Sequence, residues 1–531
     1  METSLSDSLT VQTEATAERT LVRWSRIGLV TLSALCFILI FPPFNLEALA
    51  WVAFVPLLLS IRDTSPKEAF FLGWLSGLLG TIGTVYWVVV AMVSYGNVPS
   101  WLSVLSLLLM ASFLGLYSGA FVWLIRRIAA RIPLFLMIPA IWVALEYARA
   151  YLLFPFPWSY VGYSQYLTPI ITQIADTTGV YGVSFLVMLV NAGLYAAVFS
   201  RISRRAKQTA LIVTACAVAI SAGYGEFVLS GASRLEEKTV KVAVVQGNID
   251  QGIKWNSAFK QHILDTYARL STKIAKEKPD LIVWPETAAP FLFLYDAEPQ
   301  QQMINLVRSL NTFLLFGGLQ VTPVNGTREY HSFNSAFLLS PNGGLLGQYN
   351  KMQLVPFGEY VPFKKLLFFI DRITTAIGEV QAGTVPEVMQ ANDTLFSVVI
   401  CFESTFPNLV RKFVDRGARV LLIITNDAWY GRSPAAAQHF SMATFRAIEN
   451  RTAIARAANT GISGFIDPYG RILQQSEEYV EATLVHDIPL RTTTTFYTRH
   501  GDLFAWFCCA AAVGAIIAAI ATRRTRAGER Q

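Results

Sequence analysis

The first 230 residues hold a succession of long apolar segments joined by short polar loops, and the basic residues fall in alternate loops. Apolar segments can be drawn at 27–42, 46–61, 69–93, 100–125, 133–152, 176–200 and 208–230, with one more at 502–522. Crossing a bilayer as a helix takes about 20 residues, a length several of these reach and the first two do not. If each segment crosses, one side receives Arg19, Arg23 and Arg26, then Arg62 and Lys67, then Arg126, Arg127 and Arg131. The same side receives Arg201, Arg204, Arg205 and Lys207, and finally Arg523, Arg524, Arg526 and Arg530. The short loops near 43–45, 94–99 and 153–175 contain no Lys or Arg. Positive residues stay on the cytoplasmic side, so this asymmetry places both termini there and residues 231–501 outside. That parity needs eight crossings.

Composition agrees with a membrane protein. Hydrophobic residues make up 53% of the chain and charged ones 15%, against roughly 25% charged in soluble domains. The net charge of +7 could suggest nucleic acid, but the basic residues sit beside apolar spans, where membrane topology already explains them. Residues 1–20 read as a disordered cytoplasmic tail. The apolar run that follows continues Pro42-Pro43-Phe44-Asn45 with no small-residue cleavage site, so it reads as an uncleaved first helix. The organisation expected is a membrane domain with seven helices over 21–230, a polar domain over 231–501, an eighth helix over 502–522 and a basic tail over 523–531. Glu146 and Arg149 lie within an apolar segment, where charge is costly, and imply internal pairing or a functional face. The loop Phe154-Pro-Phe-Pro-Trp158 to Tyr163 reads as an aromatic interfacial belt.

Within 239–487 short β-rich runs alternate with helical patterns. Strand-like runs are Val240–Gln246, Leu281–Pro285, Phe313–Leu319, Ser335–Leu339, Leu395–Cys401, Val420–Thr425, Gly464–Ile466 and Ala482–Val485; helical stretches fall at 257–277, 300–310, 405–416 and 436–458. This alternation specifies an α/β or layered α+β sheet domain with helices on its faces. Three reactive groups follow strand runs, where open α/β sheets place their sites. Glu286 follows Leu281–Pro285, Lys351 follows Leu345–Tyr349, and Cys401 ends its own run. Cys401 is the only cysteine of this domain; Cys36, Cys216, Cys508 and Cys509 lie in apolar stretches elsewhere. A buried thiol is commonly inert, and single Glu and Lys residues are commonly surface charges. Together a carboxylate, an amine and a thiol can supply a base, an oxyanion donor and a nucleophile.

Trp284-Pro-Glu-Thr287, Tyr349-Asn-Lys351 and Cys401-Phe-Glu403, in that order, resemble the Glu-Lys-Cys triad of the nitrilase superfamily. Lys351-Met-Gln-Leu-Val-Pro-Phe-Gly-Glu-Tyr-Val-Pro362, Thr425-Asn-Asp-Ala-Trp-Tyr-Gly431 and Arg446-Ala-Ile-Glu-Asn-Arg451 add to the likeness. Set between membrane segments, such a domain resembles that of the apolipoprotein N-acyltransferases. The resemblance implies a multi-span α-helical membrane domain plus an extracytoplasmic nitrilase-like αββα sandwich, in the bacterial inner membrane and facing the periplasm. It implies acyl transfer from a membrane phospholipid, through a cysteine thioester, to the α-amino group of a diacylglyceryl-cysteine on an apolipoprotein. Cys401 is then the nucleophile, Glu286 the base and acid, and Lys351 the oxyanion donor, with the Phe402 N–H as a second donor. Glu359 supports the lysine and base, Glu403 fixes local geometry or forms a salt bridge, and Trp255, Trp429 and Tyr360 are candidate substrate contacts. No cofactor is implied: the five histidines are scattered, and no ligand spacing or phosphate loop is present. No nucleic-acid partner is implied, and a monomer is expected.

Two apolar stretches, Phe291–Tyr295 and Pro356–Ile370, read as mobile arms facing the bilayer. Phe368 and Phe369 would there govern lipid entry and Lys364 and Lys365 lie near lipid phosphates. The alternatives are a membrane-tethered amidase, which differs only in what accepts the acyl group, and a transporter or receptor with a degenerate nitrilase-like domain. An intact Glu286, Lys351 and Cys401 set disfavours the last.

Overall fold

A computed structural model describes residues 22–128, 134–232, 238–324, 326, 330–360 and 380–528. Much of the second apolar arm, including Lys364, Lys365, Phe368 and Phe369, lies outside them. The membrane half comprises α1 (Val22–Leu39), α2 (Val55–Ser60), α3 (Pro66–Val85), α4 (Trp87–Ser94), α5 (Ser100–Ile128), α6 (Leu134–Tyr151), α7 (Pro169–Thr172), α8 (Ala175–Thr178), α9 (Val180–Leu194) and α10 (Arg204–Ala232). Six helices among the described residues are long and apolar enough to cross a bilayer, five of them here and one at Leu503–Ala521. A further helix, α6, has 18 residues with Pro139 inside it.

Two expected segments are broken. The stretch 69–93 divides into α3 and α4. The stretch 46–61 is a 3-10 turn over Glu47–Trp51 followed by α2. A break inside lipid leaves backbone groups without partners, and they must be satisfied by neighbouring helices. Asn191 of α9 does this: its Oδ1 accepts from Phe54 N at 2.8 Å, and its Nδ2 donates to Ala50 O at 2.8 Å. The broken segment still returns the chain across the layer. Arg26, near the start of α1, pairs with Glu68, near the start of α3, and donates to Arg62 O. These two helices therefore begin at the same end. Arg126, near the end of α5, donates to Thr64 O at 2.7 Å and joins that end. Helices α3 and α5 approach closely through small residues: a Cβ on Gly77 would stand 2.9 Å from Gly115 Cα, the packing that replaces hydrophobic burial inside lipid.

At the opposite end sits the polar domain. Its first sheet runs β13 (Ala482–Pro489), β1 (Thr239–Gln246), β2 (Leu281–Val283), β4 (Phe313–Pro323), β5 (Tyr330–Leu339), β6 (Leu345–Asn350), with β3 (Ala289–Leu292) also on β4. Its second runs β12 (Ile472–Gln475), β11 (Gly464–Ile466), β10 (Ala453–Ala458), β9 (Val420–Thr425), β8 (Thr394–Ile400), β7 (Met389–Ala391). The two-residue period of a strand sends alternate side chains to opposite faces. Val242 and Val244 join the core shared with Phe396, Val398 and Leu422 of the second sheet. Ala243 and Val245 join Ile263, Tyr267 and Leu270 of α11 (Lys260–Ile274) and Met303 and Val307 of α12 (Ala297–Leu310). Helices α13 (Pro407–Asp415) and α14 (Ala435–Asn450) belong to the second sheet, giving the αββα layering, and α15 (Phe496–His500) leads into α16 (Leu503–Gly528).

The expected helix 436–458 ends early. α14 closes at Asn450, Arg451 takes a left-handed φ of 48°, and Ala453–Ala458 forms β10, parallel to β9. Its alanines favour helix locally, but pairing inside a buried sheet overrides that preference. Part of the first arm is also corrected: Phe291 and Phe293 are buried, and Phe293 packs edge-on against Phe316, while only Leu294 and Tyr295 are exposed.

The two halves meet along α14. Gln438 Oε1 accepts from Trp87 Nε1 at 3.2 Å and Trp158 Nε1 at 2.8 Å, and its Nε2 donates to Pro42 O and Thr84 O. Glu449 Oε1 accepts from Val180 N, and Arg451 pairs with Asp176 at 2.7 Å. The 158–163 loop is thus no surface belt: Trp158, Tyr160 and Tyr163 are fully buried, and Trp158 packs against His439. Glu146 and Arg149 do not pair with each other. Glu146 accepts from Trp142 Nε1 and Val161 N, while Arg149 donates to Trp158 O.

Candidate active site

Cys401 opens a 3-10 turn (Cys401–Thr405) directly after β8, with φ of +51°. A β-region residue would continue the strand; the left-handed conformation turns the chain sharply, costs about 1–3 kcal/mol and has to be held by its surroundings. Glu403 holds it from one side. Its Oε2 accepts from Ile400 N at 2.7 Å, and its Oε1 accepts from Tyr349 OH at 2.6 Å and Met352 N at 2.7 Å. One buried carboxylate therefore ties the strand bearing the thiol to the segment bearing Lys351. No ion pair to Glu403 is found among the described residues. Burial pushes its carboxyl up, opposed by the hydrogen bond from Tyr349.

From the other side, His439 Nε2 lies 3.1 Å from Cys401 O and 2.8 Å from Ser404 Oγ. Its Nδ1 is 3.0 Å from Asp427 Oδ1, and Arg456 pairs with Asp427 Oδ2 at 2.9 Å. Burial alone would raise the Asp427 carboxyl, but Arg456 and His439 hold it at about 2. Burial, with Arg456 beside it, lowers His439, opposed by the Asp427 carboxylate. Candidate ligand atoms of Cys401, Asp427 and His439 lie within 4.8 Å of one another. The set does not suit a cation. Both Asp427 oxygens already accept, from Thr425 and from Arg456, and the Arg456 guanidinium stands beside them.

Glu286 and Lys351 meet each other near Cys401, and the charge of each acts on its thiol. Lys351 Nζ donates to Glu359 Oε1 at 2.9 Å and lies 3.4 Å from Glu286 Oε1. Burial would lower the ammonium, but the Glu359 and Glu286 carboxylates outweigh it and raise Lys351 above its ordinary value. Asn334 Nδ2 bridges the two carboxylates, at 2.7 Å from Glu286 Oε1 and 3.0 Å from Glu359 Oε1. Glu286 Oε2 accepts from Asn426 N at 2.8 Å. Glu359 Oε2 accepts from Val355 N, which fixes the loop that carries it. Burial and the adjacent Glu286 carboxylate push the Cys401 thiol well up, only partly offset by Lys351. The thiol therefore keeps its proton until a base removes it, and a carboxylate held this close is placed to do so.

The structure thus gathers Glu286, Lys351, Glu359, Cys401 and Glu403 into one buried cluster. Phe402 is buried against Phe406, and its amide belongs to the first turn of a short helix, where N–H groups lack intrahelical acceptors. Trp255 is half-buried and its indole N–H has no acceptor among the described residues. Trp429 packs edge-on against Tyr95 of the membrane half, 5.7 Å between ring centres. Tyr360 follows Glu359 and is half-buried. Sequence reasoning missed Asn334, Lys254, His439 and Tyr430. The available signals were polar residues inside apolar runs, as in Phe333-Asn334-Ser335-Ala336-Phe337 and Ala435-Ala-Ala-Gln-His439-Phe440. Tyr430 stacks edge-on against Trp87 at 4.6 Å, and burial together with the nearby Cys401 pushes its phenol up.

Residues 33–193 match the family described as Apolipoprotein N-acyltransferase N-terminal domain, and residues 241–497 match Carbon-nitrogen hydrolase. The apolipoprotein N-acyltransferase of Geobacter metallireducens is 41% identical over 504 residues, covering 93% of this chain and 95% of that protein. That of Chlorobaculum tepidum is 34% identical, covering 91% and 94%. Among solved structures, an amidase from Nesterenkonia sp. AN1 aligns with 48% of this chain and 92% of its own at a TM-score of 0.37 and 19% identity. With both halves matched and relatives covered almost end to end, the chain belongs to the apolipoprotein N-acyltransferase family of multi-pass membrane proteins, within the nitrilase superfamily.

Proposed function

We propose that the chain transfers an acyl group from a membrane phospholipid, through a thioester on Cys401, to the α-amino group of an apolipoprotein's N-terminal diacylglyceryl-cysteine. The observation that carries this reading is the buried cluster itself: a thiol on a left-handed turn beside an ammonium shared by two carboxylates. Glu286 accepts the Sγ proton as the thiolate attacks the ester carbonyl. Lys351 Nζ and the Phe402 N–H stabilise the oxyanion, a role worth about a hundred- to a thousand-fold in rate per donor. Collapse breaks the acyl C–O bond, and Glu286 returns its proton to the departing glycerol oxygen. In the second half-reaction the amine attacks the thioester, Glu286 takes the amine proton, and the Cys401 thiolate leaves and is reprotonated.

The domain is assigned to the external face of the bacterial inner membrane. Arg26, Arg62 and Arg126 cluster at the end of the bundle away from the polar domain, as positive-inside topology requires. Trp255, Trp429 and Tyr360 rim the cluster as acyl or peptide contacts, and the chain acts as a monomer. Radiolabelled phospholipid incubated with the membrane protein should give a protein-bound, hydroxylamine-labile acyl chain that moves to a diacylglyceryl peptide amine. Release of the label as free fatty acid, with none on the peptide, would identify a hydrolase instead. A reporter fused after Gln531 should behave as cytoplasmic and one near residue 230 as external; the reverse pattern contradicts the orientation.

A further inference from the structure

A second lysine stands beside the base. Lys254, on the loop after β1, is 1% exposed, and its Nζ donates to the main-chain carbonyl of Glu286 at 3.1 Å. No carboxylate lies within 4 Å of it among the described residues, so the ammonium is buried without an ion pair. Burying such a charge is costly. A neutral side chain of similar length could brace the same carbonyl without that cost, so the brace alone does not account for a lysine.

The segment that Lys254 touches is tightly fixed. Thr287, next to the base, takes a left-handed φ of +47°. Gly317 of β4 lies so close that a Cβ there would stand 2.5 Å from Thr287 N and 2.7 Å from Glu286 Cα. Trp284 N donates to Leu315 O, and Gly317 N to Pro285 O. Geometry on the strand side is therefore secured without Lys254. What Lys254 adds is charge, at the main chain of Glu286. Among the described residues, the charged and titratable groups around the base are Lys351, Glu359, Cys401, Tyr430 and Lys254.

We infer that Lys254 is a positioning residue whose buried ammonium, seated on the main chain of the proposed base Glu286, favours the ionised form of that base. The inference rests on the reading of Glu286 as the base. Burial lowers the Lys254 ammonium to about 7. It is therefore charged throughout the acid range in which a carboxylic acid titrates, and an opposite charge nearby lowers a carboxyl's pKa.

The test is the pH profile of Cys401 acylation, measured on the full chain in detergent micelles with a fluorescent phospholipid, for wild type, Lys254→Gln and Lys254→Arg. Lys254→Gln keeps a donor and removes the charge; its acid limb should move up by about one pH unit, a loss of about tenfold on that limb that closes above pH 8. Lys254→Arg should keep the wild-type limb. A Lys254→Gln profile that matches wild type, or that falls uniformly with an unmoved limb, overturns the proposal, the second outcome marking a purely structural brace. So does an arginine variant displaced as far as the glutamine one. Glu286→Gln, run alongside, separates the two readings: acylation surviving in that variant removes the base assignment itself, whereas an unmoved limb with an inactive Glu286→Gln removes only the role of Lys254.

Discussion

The membrane half and the polar half treat their buried polar groups in opposite ways. In the membrane half the buried polar groups are dispersed, and some of them repair backbone one at a time. Asn191 closes the gap between Ala50 and Phe54, and Glu146 caps Val161. In the polar half the charges are gathered: Glu286, Lys351, Glu359, Glu403, Asp427, His439 and Arg456 all converge on the turn that carries Cys401. Isolated polar groups satisfy a fold that water cannot reach; clustered ones shift one another's proton affinities and so can do chemistry. The chemistry accordingly belongs to the nitrilase-like domain. The membrane half meets it one residue from the site, at Gln438, beside His439.

Removing a member of the cluster should give the largest effect. Glu286→Gln and Lys351→Met should each reduce acylation by about a hundredfold or more, read as the initial rate of thioester formation, with the thermal midpoint showing a folded protein. Near-normal turnover in either would mean that the gathered charges are not the machinery.

Glu403→Ala should come next. It leaves the Tyr349 hydroxyl and the Ile400 and Met352 amides without an acceptor. Each orphaned buried donor costs about 1–3 kcal/mol, so the domain should lose thermal stability and activity together. Stability unchanged while activity falls would move Glu403 from a brace to a participant.

At the seam, Gln438→Ala removes partners from two indoles and should cost about 1 kcal/mol per lost bond. If the halves work as a unit, acylation from bilayer phospholipid should fall by more than acylation from a short soluble thioester. Equal losses would show that the seam only holds the fold.

The last effect is read in stability against pH. Lys254 titrates at about 7 in the fold and near 10.5 when free. The unfolded chain therefore binds the extra proton between those values, and stability from this site rises with pH across that window. Lys254→Met should raise the thermal midpoint at pH 6 relative to wild type, with the gap narrowing towards pH 10. A constant gap would mean that Lys254 is not desolvated.

The comparison also separates what could be read in the sequence from what could not. Segment hydropathy and alternating basic loops were visible because lipid imposes one requirement over some twenty residues at a time. The break at 46–61 was not, because the residue that repairs it, Asn191, lies about 140 positions away. In the polar half, Glu286, Lys351 and Cys401 each stand at a strand end, a local signal. Asn334 and His439 are brought to them by sheet register and helix packing, which no local pattern encodes. The helix expected to run to 458 failed for the same reason: Ala453–Ala458 is a strand because β9 and β11 lie on either side of it.

The central claim, that the gathered charges serve one covalent step at one thiol, is tested most directly by mass spectrometry of the intact protein after incubation with phospholipid and no acceptor. The account predicts a single fatty-acyl adduct on the peptide carrying Cys401, removed by hydroxylamine and absent in Cys401→Ala. An adduct that persists in Cys401→Ala, or lies on another residue, would contradict it.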